Sequence, residues 1–138
     1  MKLELVIVPV ADVDLARAFY SERVGFTVDV DHSAGEDFRI VQLTPPGSAC
    51  SVTLMRNVEA AGSLQGLHLV VTDLPSVRDA LVARGVDVTE PFHFGATGQA
   101  AGLHPERVDF GSFATFRDPD GTGWLLQEVP SRGREGRA

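Results

Sequence analysis

At 138 residues, with 43% hydrophobic and 22% charged residues, the chain is sized for one domain with its own core, and no apolar run approaches the roughly 20 residues of a membrane span. The formal net charge of −7 has the wrong sign for a phosphate-binding surface, so neither nucleic acid nor a membrane is expected as a partner. A single cysteine, Cys50, excludes an internal disulfide, and Met1-Lys2-Leu3-Glu4 runs into a strand-like segment without the features of a signal peptide, which makes the cytoplasm the expected compartment.

Residues 3–10 are apolar at nearly every position, the pattern of a strand covered on both faces. Asp12 then offers a carboxylate to the free N–H groups of a helix start; Leu15, Ala16, Phe19 and Tyr20 fall on one stripe, and Gly25 ends the helix. Residues 26–30 resume as a strand, 31–36 form a polar turn, and 38–43 and 50–55 read as strands around Pro45-Pro46-Gly47. A polar connection at 57–65 follows. Residues 67–71 predict another strand, Asp73 another helix start with Pro75 in its first turn, and Gly85 the helix end. Strands are expected at 86–88, 111–117 and 124–129. The last residues, 131–138, are rich in Arg and Gly and read as a flexible tail.

The chain is therefore written twice. Val-x-Asp-[Val/Leu] opens a helical pattern at Asp12 and again at Asp73, an offset of 61, and Thr44-Pro45-Pro46-Gly47 is answered by Asp118-Pro119-Asp120-Gly121, an offset of 74. The second copy is longer by about 13 residues, which fall between Glu90 and Phe110. That small-residue-rich insertion has the length of a lid or binding loop. The units are bounded at 1–57 and 65–130 within a single domain, 1–130.

Two βαβββ units with these helix starts, Gly-[Phe/Val]-x-Val after each helix and an Asp-Pro-Asp-Gly turn before the last strand resemble the vicinal oxygen chelate superfamily, which includes glyoxalases, bleomycin-resistance proteins and extradiol dioxygenases. The resemblance covers residues 3–129. It implies an α+β fold of two repeats forming an open half-barrel around a U-shaped pocket, commonly completed in a homodimer. In metal-using members a His, Glu or Gln on the first strand of each unit, and another on the last strand, holds the ion. Carried over, those positions fall on Leu5, Thr53, Leu67 and Leu125. Three leucines and a threonine are a poor donor set for a divalent ion, so the resemblance is to the bleomycin-resistance-like, metal-free branch: no metal and no cofactor are expected.

With Leu5, Thr53, Leu67 and Leu125 facing inward, strand alternation adds Ile7, Met55, Leu69 and Gln127. Matching strands at the offset of 74 brings in Arg39, Phe113 and Thr115, and the insertion contributes Phe94 and Phe110, with Phe92 and Trp124 nearby. The expected lining is apolar and aromatic, suited to a small hydrophobic or aromatic molecule. A one-residue slip would instead turn His68 inward; Glu128, His93 and His104 are its candidate companions in an unconventional metal or proton-transfer site. Ser48, Cys50 and Ser51 lack any nucleophile motif, and Asp118 and Asp120 read as turn formers. The leading expectation is a metal-free small-molecule binder with a sequestration, resistance or carrier role. The alternatives are a glyoxalase-like lyase or isomerase and a ligand-free structural dimer, so whether the chain is an enzyme, and which residues would then be catalytic, stays open.

Overall fold

A computed structural model describes residues 1–135. They form two compact units: Met1–Gln65 together with the turn Asp118–Thr122, and Gly66–Arg117 together with the residues from Gly123 on. Each unit carries one open sheet, of four strands in the first and five in the second, with few helices.

In the first unit β1 (Leu5–Val10) leads to α1 (Val13–Ala18), and β2 (Thr27–Ser33), β3 (Arg39–Thr44) and β4 (Ser51–Arg56) complete a sheet of order β1-β4-β3-β2. β1 and β4 run parallel, and the remaining pairs are antiparallel. The Asp12 carboxylate accepts from Leu15 N at 3.1 Å, the cap its position predicts. Beyond Ala18 the helix widens into a π-helical stretch, Phe19–Val24, and stops at Gly25, whose φ of 94° is the left-handed conformation that glycine adopts without cost. The helix covers one sheet face, where Val8, Val10, Val41, Leu43, Val52 and Leu54 are buried with Ala16, Phe19 and Tyr20.

The Asp118–Thr122 turn is built into this unit by its polar groups. Buried Asp118 accepts from Tyr20 Oη at 2.7 Å and from the N–H groups of Asp120 and Thr122, both at 2.9 Å. Asp120 in turn accepts from Ala11 N at 3.1 Å. Both aspartates are thus turn and packing residues, with both carboxylate oxygens of Asp118 and Oδ2 of Asp120 engaged.

The second unit repeats the plan. β5 (Leu67–Val71) leads to α2 (Leu74–Ala83), then β6 (Phe92–Gly95), β7 (Gly98–Ala101), β8 (Phe113–Arg117) and β9 (Gly123–Glu128), in the order β5-β9-β8-β6-β7. The parallel pair β5/β9 repeats β1/β4. The strand expected at residues 86–88 does not form. Val86 and Val88 are buried there, and Arg78 donates to the carbonyls of Val88 and Thr89, so side-chain bonds replace a strand ladder.

β6 takes the place that β2 has in the first unit, so the insertion is β7 plus the loop 102–112, and the loop is tied down rather than hanging free. Arg107 donates to Glu128 Oε1 and Oε2 at 2.7 and 2.5 Å, Gln127 Nε2 donates to Phe110 O, and Ser131 N donates to Asp109 Oδ1. Arg107 and Phe110 both adopt positive φ, 49° and 63°, which these contacts hold in place. A short helix, α3 (Pro130–Glu135), opens the segment expected as a tail. Residues 136–138 of that segment lie outside the described residues.

Candidate functional site

Strand pairing assigns each expected site residue to a face. In the first unit Leu5, Ile7 and Pro9 pair with Ser51, Thr53 and Met55, and Thr53 pairs with Gln42. By alternation these residues share the sheet face opposite α1. Ile7 is 53% exposed, although isoleucine is among the residues most often fully buried. Thr53 is the converse: it is buried, and its hydroxyl has no hydrogen-bond partner among the described residues. The structure thus brings Leu5, Ile7, Thr53 and Met55 together.

Arg39 is not with them. It shares the helix-side face of Val41 and Leu43, where it grips Asp31 with Nε and Nη2, both at 2.9 Å, and Asp14 of α1 at 2.5 Å. Those hydrogen bonds push the guanidinium pKa up and hold Asp31 below the usual carboxylate range. The expectation fails by one residue of turn length. Gln42 pairs with Thr53 as Thr115 pairs with Leu125, an offset of 73 rather than 74. Arg39 instead lines a charged groove of about 500 Å3 with Asp12, Asp14, Glu36, Asp37 and Arg56.

In the second unit His68 pairs with Leu125, Val70 with Gln127, Thr115 with Leu125, and Phe113 with both Gln127 and Phe92. These residues share one face, together with Phe94 two positions along from Phe92. Leu67 and Leu69, expected there, lie on the other face: they pair with Trp124 and Leu126, which are buried on the helix side. The inward positions on β5 are His68 and Val70. The signal was present in the repeat itself, because the Asp12-to-Asp73 offset of 61 matches Ile7 with His68 and Leu5 with Gly66.

Glu128, three residues beyond Leu125, points away as alternation requires. It is fully buried on the helix side and accepts from Leu74 N at 2.8 Å as well as from Arg107. Its negative charge therefore sits at the first turn of α2, a favourable place for an anion. His93 and His104 meet with ring centroids 5.8 Å apart, but each Nδ1 is engaged by backbone: His93 with Gly102 O, His104 with Glu106 N. Phe110 belongs to the loop, with the Arg132 guanidinium 5.5 Å from its ring centroid.

The open face of the second unit is aromatic at one end. Phe92 stacks on Phe113 with centroids 5.7 Å apart, and Phe94 meets Phe113 edge-on at 5.5 Å. Phe94 is 59% exposed. Beside the stack lies a cavity of about 500 Å3 lined by Phe92, Thr89, Pro91, Gln99, Ala101 and Thr115. That volume is in the range of small-molecule pockets. His68 stands at the other end of the face, its Nδ1 2.6 Å from Gly66 O. Cys50 is half-buried, its thiol 3.7 Å from Ser51 O, with no base beside it among the described residues.

The residues fit a divalent ion poorly. A metal site requires three or four converging donors. The first unit presents Ile7 and Thr53 at the relevant strand positions, and the second presents His68 and Leu125. Among the described residues no group of three or more His, Cys, Asp or Glu could hold a metal ion.

Comparison with known proteins adds the following. The sequence model of the Glyoxalase/Bleomycin resistance protein/Dioxygenase superfamily matches residues 2–126. The crystal structure of TnmS3, an antibiotic binding protein from Streptomyces sp. CB03234, is 30% identical, with a TM-score of 0.73 over 94% of this chain and 96% of that one. A glyoxalase/bleomycin resistance protein from the same organism is 31% identical, with a TM-score of 0.70 over 92% of this chain and all of that one. The uncharacterized protein YetH of Bacillus subtilis is 25% identical over 126 residues, 89% of this chain and 94% of its own length.

Proposed function

We propose that this chain, which belongs to the Glyoxalase/Bleomycin resistance protein/Dioxygenase superfamily, is a metal-free binder of a small, flat, apolar molecule, with a sequestration, resistance or carrier role. The observation that carries this reading is the cluster of half-buried Phe92 and Phe113 with exposed Phe94, beside a 500 Å3 cavity. Aromatic rings left in water are costly, and stacking a flat ligand on them removes that cost while adding about 0.5–1.5 kcal/mol per ring pair beyond area burial. Gln127 and Thr115 supply polar anchors, and the first unit offers a second surface of the same character in Leu5, Ile7, Thr53 and Met55. Further support comes from TnmS3, which is an antibiotic binding protein of nearly the same length.

A metal-dependent lyase or isomerase would need three or more converging donors, and among the described residues no such group of His, Cys, Asp or Glu occurs. A homodimer belongs to the same reading, with exposed Ile7 in the first unit and exposed Val70 and Phe94 in the second as apolar side chains to be covered. Sedimentation that yields only the monomer mass at every concentration would remove that element. The cytoplasm remains the proposed compartment; no helix among the described residues is long and apolar enough to cross a membrane.

The test is a thermal-shift screen with fused-ring aromatic compounds in the presence of a chelator. A binder at a hundredfold excess over its Kd stabilises the native state by about 2.7 kcal/mol. Phe113→Ala should abolish the shift. Shifts that require added zinc, nickel or manganese would contradict a metal-free site.

A further inference from the structure

Three polar side chains on the open face of the second unit, His68, Thr115 and Gln127, hold acceptor atoms with no partner among the described residues. A backbone carbonyl only accepts, so the 2.6 Å contact between His68 Nδ1 and Gly66 O places the ring proton on Nδ1. In the neutral imidazole Nε2 is then a lone-pair acceptor, and it has no hydrogen-bond partner among the described residues. Gln127 directs its Nε2 to Phe110 O at 3.2 Å, which leaves its Oε1 as the free end. The Thr115 hydroxyl donates toward Thr89 Oγ1 at 3.5 Å, which leaves its lone pairs.

Register gives the reach between these groups. His68 on β5, Leu125 on β9 and Thr115 on β8 form one row across the sheet. Two strand spacings separate its ends, about 10 Å. Thr115 is also a wall of the cavity beside Phe92. A fused-ring molecule lying over Leu125, with one edge toward that cavity, brings its opposite edge to His68.

We propose that the ligand is a fused-ring aromatic bearing a hydroxyl group, and that His68 selects it by accepting the hydroxyl proton at Nε2 in a hydrogen bond. The proposal rests on the small-molecule reading above and names its ligand class. His68 is a specificity-determining residue: a ligand whose oxygen carries no hydrogen leaves the imidazole lone pair unsatisfied against the bound ring.

The test uses the intact chain, a chelator throughout, and two probes of nearly equal shape, 2-naphthol and 2-methoxynaphthalene, titrated by equilibrium dialysis. Wild type should prefer 2-naphthol by roughly tenfold, the scale of one hydrogen bond made or missed. His68→Phe, which keeps a flat ring and removes the acceptor, should level the two affinities, and His68→Gln should restore part of the preference through its amide oxygen. Equal binding of both probes by wild type would overturn the inference and leave the binding reading intact. A preference that survives His68→Phe would overturn it as well, since the hydroxyl would then be read elsewhere. A preference that appears only when zinc replaces the chelator would overturn it in favour of a metal. Saturable binding of neither probe would overturn the small-molecule reading and the inference with it.

Discussion

Asp31 and Glu128 show how differently two carboxylates serve this molecule. Hydrogen bonds from Arg39, with Arg17 3.3 Å away, hold Asp31 below the usual carboxylate range. A carboxyl whose pKa is lower folded than unfolded adds stability above its unfolded value, about 3.9, and loses it as pH falls through the folded value. Urea midpoints measured between pH 5 and pH 2 should therefore fall less in Asp31→Asn than in wild type. Glu128 is fully buried, with its partner Arg107 partly wetted. Removing one member of a buried pair leaves an uncompensated charge or unpaired donors, which costs about 3–5 kcal/mol; the wetted guanidinium places Glu128→Ala toward the lower end, near 3 kcal/mol by urea unfolding. Loss of the pair also frees Arg107 from its positive φ, so amide exchange across 102–112 should rise with it.

The elements that the sequence announced best are those whose local chemistry fixes them. Asp12, Asp73 and Gly25 cap helices because capping depends on neighbours within one turn. The Asp118–Thr122 turn combines such local bonds at Asp118 with distant ones from Tyr20 and Ala11, and it yields two predictions. Gly62 has a φ of 79°, and a Cβ there would lie 2.1 Å from Asp120 O, so Gly62→Ala should lower stability by at least about 1–3 kcal/mol in urea unfolding. Thr122 buries a hydroxyl with no partner among the described residues, so Thr122→Val should be neutral or stabilise by about 1 kcal/mol in the same assay. Strand faces were less legible. Leu67 and Leu69 are as apolar as any pocket lining, and only the pairing of His68 with Leu125 shows which face they take. Because side chains alternate with a period of two, a one-residue slip exchanges every one of them. Arg39 went astray by the same mechanism, through a β3–β4 connection one residue longer than its β8–β9 counterpart. The 86–88 strand failed for another reason: β propensity was satisfied by burial of Val86 and Val88 without a partner strand.

At the scale of the molecule, two copies of one unit have diverged in what their open faces offer. The first keeps Ile7 and Thr53 at positions where the second has His68 and Leu125, and the second carries Phe92 and Phe94 on β6, the strand in the place of β2, where they meet Phe113. The duplication and the longer second copy were readable from spacing alone. The aromatic stack was not, because it depends on β6 pairing with β8 across an intervening hairpin. Function, on this account, follows from the aromatic face. The most direct measurement is a titration of 2-naphthol into isotopically labelled protein, followed by amide chemical shifts. The account predicts saturable shifts at His68, Phe92, Phe113, Thr115, Leu125 and Gln127. Shifts confined to the charged groove around Asp12, Asp14 and Arg39, or no saturable shift at any residue, would contradict it.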